Sequence, residues 1–346
     1  MLRPQSLLHD CQEQRGVFGG KGLCEGRKGE FEADVLRLVS ASISCSLNAL
    51  GSLEDVDTAK WEISVLGRVN MSNATEMVVG SVVSLWRYPV KSMMGEELNA
   101  SEVTERGMLG DRAYALMDQS TGKVASAKNP RKWGKLFDFR ATYTEPPRPG
   151  EKSPPVRITL PEGTMVTSEQ SDTDHTLSAV LGREVALRTS VPKTPSLEEY
   201  WPDLEGLLAH RDTITDEDMP PETFFDFAVI HVLTTATIER LREVYPEGRF
   251  EVRRFRPNIV VEAAAGETTF VENTWIDRTL TLGDEVRLSI SGPCPRCVMT
   301  TLPQGDLPKD VGILRAAAQH NEANVGVYAT VLRGGMIRRG DTVRLE

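Results

Sequence analysis

The sequence predicts a β-rich α+β fold built from two barrel-like units with a few helices. Three observations carry that expectation. Short β-branched segments recur from residue 77 onward, turn-forming clusters separate them, and only three stretches hold helical periodicity. Regularly spaced short strands of this kind suit small barrels or sandwiches. At 346 residues the chain has room for two domains of ordinary size.

The first strand is MVVGSVVSLWRYPVKS, starting at Met77, β-branched and ending in a turn. Residues 1–76 ahead of it are dotted with glycine and lack sustained periodicity, so they read as a poorly ordered, flexible extension. Met71 or Met77 are alternative start positions for the folded body. The stretch SEVTERGMLGDRAYALMDQSTGKVASA reads as strand, turn at Gly107–Asp111, strand RAYALMD, turn at Ser120–Gly122, and strand KVASA. VRITLP, TMVTS and EVALRTS continue the series, with the proline-rich TEPPRPGEKSPP as a loop. SDTDHTLSAVLG reads as a short helix with Thr173 or Asp174 as its N-cap. These elements define a first domain over residues 77–190.

A second domain is expected over residues 195–346. FAVIHVLTTATIERLREVYPEG gives a strand over 228–233, then a helix entered at Thr234 and Thr235. RPNIVVEA is a strand, and WIDRTLTLGDEVRLSISGPC is a strand, a Gly-Asp turn and a strand. LPKDVGILRAAAQHN is a helix. VGVYATVLRGGMIRRGDTVRLE closes the chain with two strands around GGMIRRGD.

Composition narrows the function. Hydrophobic residues make up 40% and charged residues 26%, values usual for a globular protein, and the net charge is -10. An acidic chain without a lysine and arginine block disfavours nucleic acid and anionic membranes as partners. Five cysteines form no disulfide framework, which points to a reducing, cytoplasmic setting. No run approaches the ~20 apolar residues of a spanning helix. The nearest, VLRLVSASISCSLNALGSL, is broken by Arg37, several serines and Asn48.

The stretch GPCPRCVMTTL, residues 292–302, carries the chemistry. Cys294 and Cys297 lie three apart with Arg296 between them, after a predicted strand. Four readings stand open. A thioredoxin-like pair has this spacing but belongs at a strand-to-helix turn, and VMTTLPQG does not read as a helix start. Half of a zinc site lacks a matching second half, because the other cysteines and the five histidines are scattered. Two inert buried thiols are the plainest reading. A thiolate ligand to a metal in an anionic cofactor is the fourth, favoured by the arginine beside the thiol.

WRYPVKS (86–92), GDRAYALMD (110–118), FRPNIVVE (255–262), ENTW (272–275), PRCVMTTL (295–302) and GVYATVLRGGMIRRGD (326–341) stand in one order. Together they resemble the MOSC family preceded by the MOSC N-terminal β-barrel, from about residue 80 to the C-terminus. The likeness is greatest to the amidoxime-reducing molybdenum enzymes. It implies a small N-terminal β-barrel, a C-terminal MOSC β-barrel and a molybdenum cofactor of the molybdopterin type. Within it, Cys297 corresponds to the metal ligand. Lys91, Ser92, Arg112, Thr234, Thr235, Arg256, Asn258 and Arg296 correspond to cofactor-binding positions. Among them Lys91, Arg112 and Arg256 are cations able to neutralise a pterin phosphate, and the hydroxyl and amide groups can satisfy its polar atoms.

Each position also has a plainer alternative. Lys91 could be a solvated strand end, and Arg112 could pair with Asp111 or Asp118 on a surface turn. Arg256 could pair with Glu251 or Glu262, and Thr234–Thr235 could be an ordinary N-cap. The family likeness implies a reductase of N-oxygenated small molecules. No ferredoxin-type cysteine spacing or nucleotide-binding glycine motif is present, so electrons are expected from a separate flavoprotein, iron–sulfur or haem protein. One departure is LPQGDLPKD after Thr301, where the amidoxime reducers carry an acidic-proline turn. The alternative function is a sulfur carrier or cofactor-holding module with a persulfide on Cys297. MOSC modules of that kind stand beside a pyridoxal-phosphate desulfurase domain far larger than residues 1–76.

Overall fold

A closed seven-stranded barrel organises the protein. Its strands are β1 (Met77–Arg87), β2 (Ile230–Thr234), β3 (Ile259–Ala263), β4 (Thr279–Leu282), β5 (Val286–Pro295), β6 (Asn324–Arg333) and β7 (Thr342–Leu345). The computed structural model describes residues 76–346 apart from 205, 208, 209, 265 and 268. The extension expected over residues 1–76 therefore falls, Glu76 excepted, outside the described residues, as do Cys11, Cys24 and Cys45.

Around the barrel the order is β1–β3–β2–β6–β5–β4–β7 and back to β1. Only β2 and β3 run parallel. A parallel pair needs a crossover, and the helix predicted after Thr234 supplies it. Closure leaves these strands without an unpaired edge. β5 alternates as its sequence requires, with Val286, Leu288 and Ile290 buried inside. β1 instead buries Val79, Val82 and Leu85, three apart, because bulges at Val78/Gly80 and Val82/Ser84 each shift the register.

β1 belongs by sequence to the first half of the chain, yet its neighbours β3 and β7 come from the last third. A further strand, Gly335–Arg338, pairs with Ala100–Thr104. The sequence reading treated GGMIRRGD as a turn; it contains this strand. KVASA, expected as a strand, makes one bridge, Val124 to Met117.

A second core packs Trp133, Phe139, Val156, Ile158 and Leu177. It is covered by the sheet of Arg140–Tyr143, Val156–Thr159 and Met165–Thr167 and by the pair Ala115–Asp118 with Val185–Arg188. Helix α1 (Thr173–Leu181) lies against it. Neither Thr173 nor Asp174 caps this helix. Asp172 holds the N-cap position, and the Asp174 carboxylate accepts from Leu187 N at 2.8 Å instead. Gly182, left-handed, ends the helix.

Helices α2 (Thr235–Val244) and α3 (Gly312–Asn321) bury Ile238, Leu241, Ile313 and Ala317 with Phe250 and Phe255 against Leu233 and Val325 of the barrel. One hairpin, Ser196–Trp201 with Thr213–Asp218, occupies a stretch for which the sequence suggested no element. Leu197 anchors it among Met117, Val124 and Phe224. Backbone bonds from Val124 N to Ser196 O and from Tyr200 N to Lys128 O fix it further, each 2.9 Å.

Candidate functional site

A cavity of about 570 Å³ opens where the ends of β2, β5 and β6 meet the hairpin. Seven residues singled out in the sequence line it: Lys91, Ser92, Arg112, Arg256, Asn258, Arg296 and Cys297. They come from positions up to about 200 residues apart in the chain, and the fold brings them to one space. Thr234 and Thr235 do not line it.

The backbone at this cavity is unusual. Ser92, Arg112 and Arg256 adopt left-handed conformations, with φ of 63°, 50° and 53°. Each costs on the order of 1 kcal/mol for a residue with a side chain. Arg256 reaches its position by ending the short helix Val252–Phe255, so its side chain turns away from the helix and into the cavity wall. Gly326 serves the same region. A Cβ there would lie 2.2 Å from His231 Nε2 and 2.6 Å from Val232 O, so only glycine lets β6 run this close to β2.

Asp111 is the hub that orients the cationic wall. Its carboxylate is fully buried, accepts from Tyr88 N at 2.7 Å and Asn258 Nδ2 at 2.8 Å, and pairs with Arg112. Burial opposes the charge on Arg112, but Asp111 outweighs it and raises the guanidinium's pKa. The pairing expected as a weak surface contact is thus a buried one. Arg256 lies 4.1 Å from the Tyr88 ring centroid and donates to Met93 O at 2.9 Å. Burial, with Arg112 beside it, lowers its pKa to about 10. Glu251 is engaged by Arg249 and Arg253 rather than by Arg256.

Lys91 is not a solvated strand end; it is 3% exposed. Its ammonium donates to Phe224 O at 2.7 Å and to Asp226 at 2.5 Å. Lys128 stands 4.0 Å from the same carboxylate and 2.8 Å from Glu199. On the lysine side, burial wins and depresses Lys91's pKa. On the acid side, burial is outweighed by Lys128 and Lys91, which hold Asp226 well below the usual carboxylate range. Glu199, buried and close to other carboxylates, is pushed up despite Lys128.

Thr234 acts inside the scaffold. It caps α2 through Thr237 N at 3.2 Å and donates to Glu272 at 2.6 Å; Thr237 donates to the same carboxylate at 2.7 Å. Glu272, from the ENTW motif, therefore sits at the N-terminus of α2, where the resemblance had implied contacts to a cofactor. Thr235 accepts from Ala263 N at 3.4 Å, tying the helix to β3.

The two thiols occupy different environments. Cys294 still belongs to β5 and is fully buried. Cys297 follows the strand and precedes a 3-10 turn, Val298–Thr301, where the sequence had shown no helical start. Arg296 donates to Cys294 Sγ at 2.7 Å and to Phe255 O at 2.9 Å. Burial raises the Cys294 thiol, but Arg296 and His231 overcome it and bring the pKa down to about 6. Cys297 is pushed up to about 11 by burial and by Glu199, against the pull of Lys128 and Arg296.

Family models match over two segments. Residues 79–191 fit the MOSC N-terminal β-barrel domain, and residues 221–344 fit the MOSC domain. The chain is a MOSC-domain protein. Its relatives include mitochondrial amidoxime reducing component 2 of rat, 25% identical over 77% of this chain and 83% of the relative, and the human counterpart, 24% identical with the same coverage. Human mitochondrial amidoxime-reducing component 1 is 26% identical over 65% of this chain and 66% of its own length. Among solved structures, the YuaD protein of Bacillus subtilis aligns with 78% of this chain and 97% of its own at 11% identity and a TM-score of 0.40.

The donor set of this MOSC chain suits an anionic, metal-bearing cofactor. Among the described residues no group of three or more His, Cys, Asp or Glu could cage a metal. Cys297 offers one thiol at the cavity, and Arg296 Nε is buried without a hydrogen-bond partner. Guanidinium groups of Arg112, Arg256 and Arg296 line the same space. No helix among the described residues is long and apolar enough to cross a membrane.

Sequence reasoning missed Lys128, Glu199, Trp201, Glu217, Asp226 and Tyr328, which also line the cavity. Asp226 lies in the acidic and aromatic run DEDMPPETFFDF, and such a mixture outside any periodic element was the available signal.

Proposed function

We propose that this MOSC protein is a molybdenum-cofactor-dependent reductase of N-hydroxylated small molecules, with Cys297 as the protein's ligand to the metal. The observation that carries the reading is the convergence of Cys297, Arg296, Arg256, Arg112, Lys91, Ser92 and Asn258 on one cavity. The relatives named as amidoxime reducing components support the reaction class.

When bound, the cofactor supplies two-electron chemistry that cuts an N–O bond: R–NH–OH, two electrons and two protons give R–NH2 and water. The chain's own residues would bind and orient. Arg256 and Arg296 would face the anionic cofactor, with Arg112 held in place by Asp111. Ser92 Oγ accepts from Ala127 N at 3.1 Å, which fixes the turn that presents it. Lys91 ties the Phe224–Asp226 segment into the cavity lining through its bonds to Phe224 O and Asp226. Thr234 and Thr235 act at one remove, by fixing α2 to the barrel.

Electrons would come from a separate electron-transfer protein. The alternative reading is a sulfur carrier with a persulfide on Cys297. The test is reduction of benzamidoxime by the full chain from a molybdenum-competent host, with a reduced viologen as donor. Turnover to benzamidine is the expected result. Labile sulfur on Cys297 without molybdenum or turnover would reject the reading in favour of the carrier.

A further inference from the structure

The hairpin wall of the cavity carries a carboxylate, Glu217, that no cation among the described residues neutralises. Glu199 pairs with Thr215 and Leu197 with Glu217 across the strands, so Leu197, Glu199, Trp201, Thr215 and Glu217 share one face. Glu199, Trp201 and Glu217 of that face line the cavity. Of the carboxylates on the other face, Glu198 pairs with Lys132 at 2.7 Å and Asp216 with Lys123 at 2.5 Å. Asp218, at the end of the hairpin, also reaches the cavity and has no cationic partner among the described residues. On the cavity face Glu199 has Lys128, but Glu217 has no cationic partner among the described residues.

Glu217 is nonetheless held. Trp201 Nε1 donates to Thr215 Oγ1 at 2.7 Å, and the Thr215 hydroxyl donates to Glu217 Oε1 at 2.6 Å. A hydroxyl has one proton, so the indole must be the donor in the first bond, and the relay has one direction. It places an unpaired carboxylate next to an indole at the cavity. The nearest cations on this wall are already engaged, Lys128 by Glu199 and Lys91 by Asp226. The guanidinium groups without a carboxylate partner among the described residues, Arg256 and Arg296, belong to the barrel-mouth residues. The cavity is therefore bipolar, and a ligand that spans it is met by cations from one set of residues and a free carboxylate from the other.

We infer that Glu217, oriented by Thr215 beside Trp201, selects ligands carrying a planar nitrogen cation of the amidinium or guanidinium type. A carboxylate offers such a group paired N–H···O bonds, and an indole offers it a π face. The inference rests on the reductase reading for what the ligand does there. It predicts that the preferred substrates place such a cation on the side away from the N–O bond.

The test is calorimetry on the cofactor-loaded full chain with two probes of the same shape, benzamidine and benzamide, and molybdenum content measured on the same samples. Benzamidine binds at least about tenfold more tightly than benzamide, the discrimination one charge-assisted hydrogen-bonded contact provides. Glu217→Gln brings the ratio close to one, Thr215→Val reduces it in part, and Glu198→Gln, on the opposite face, leaves it as it is. A wild-type ratio near one, or an undiminished ratio in Glu217→Gln, overturns the inference. An undiminished ratio in Thr215→Val overturns the orienting role of Thr215. Because binding is read without turnover, failure of the reductase reading shows separately, as absent molybdenum or absent reduction.

Discussion

The two walls of the cavity are built by opposite means. The barrel-mouth wall holds Arg112, Arg256 and Asn258 through buried bonds to Asp111, a stacked Tyr88 ring and left-handed backbone at Arg112 and Arg256. The hairpin wall is a two-stranded ribbon whose bonds at Trp201, Thr215 and Glu217 are exposed. Strain and buried charge persist only where the surroundings over-determine them, and the closed barrel meets that condition. A ribbon stapled by Leu197 and a few backbone bonds does not. On the proposed reading, the first wall would hold a fixed cofactor and the second would meet a variable ligand.

The largest effect separating the walls is expected at the hub. Asp111→Asn leaves Arg112 facing a neutral amide and weakens the bond that orients Asn258, at a cost of about 3–5 kcal/mol. Thermal melting of the purified chain should show this as the greatest loss among conservative cavity variants. A loss no larger than that of a surface substitution would remove the distinction between the walls.

A smaller effect is expected at the join between them. Asp226 is held below the usual carboxylate range in the folded state, so its contribution is present above the unfolded pKa of about 3.9. It is lost as pH falls through that value toward the folded one. Asp226→Asn should cost about 1–3 kcal/mol at neutral pH, since Lys91 keeps the Phe224 carbonyl as acceptor. Denaturant unfolding from pH 6 to pH 3 should show the difference between the two proteins shrinking on the acid side. A constant difference would mean that folding does not shift the Asp226 carboxylate's pKa.

The smallest effect on stability belongs to the hairpin. Glu217→Gln should move the unfolding free energy by no more than about 0.5 kcal/mol, because the residue is partly exposed and lacks an ion pair. A large loss in the melt would mean Glu217 is structural rather than presented to a ligand.

This contrast also explains what the sequence disclosed. Barrel strands such as β5 were legible because an apolar run entered from a Gly-Asp turn obeys the two-residue period, as in Val286, Leu288 and Ile290. The barrel-mouth residues were legible because they sit in ordered motifs adjoining those strands, Lys91 after β1 and Arg256 before β3. SLEEYW and TITDED carry one buried leucine and many acids, so periodicity alone gave no hairpin. The Trp201–Thr215–Glu217 relay depends on cross-strand register, which no local pattern specifies. Left-handed backbone at Ser92, Arg112 and Arg256 was invisible for a similar reason, since none is a glycine and tertiary contacts impose the conformation.

The most direct measurement is elemental analysis of the full chain and of Cys297→Ser, both purified from a molybdenum-competent host and both confirmed folded by circular dichroism. The account predicts near-equimolar molybdenum in the parent and almost none retained by the folded variant. Equimolar molybdenum in Cys297→Ser, or a folded parent that takes up pterin but no metal, would contradict it.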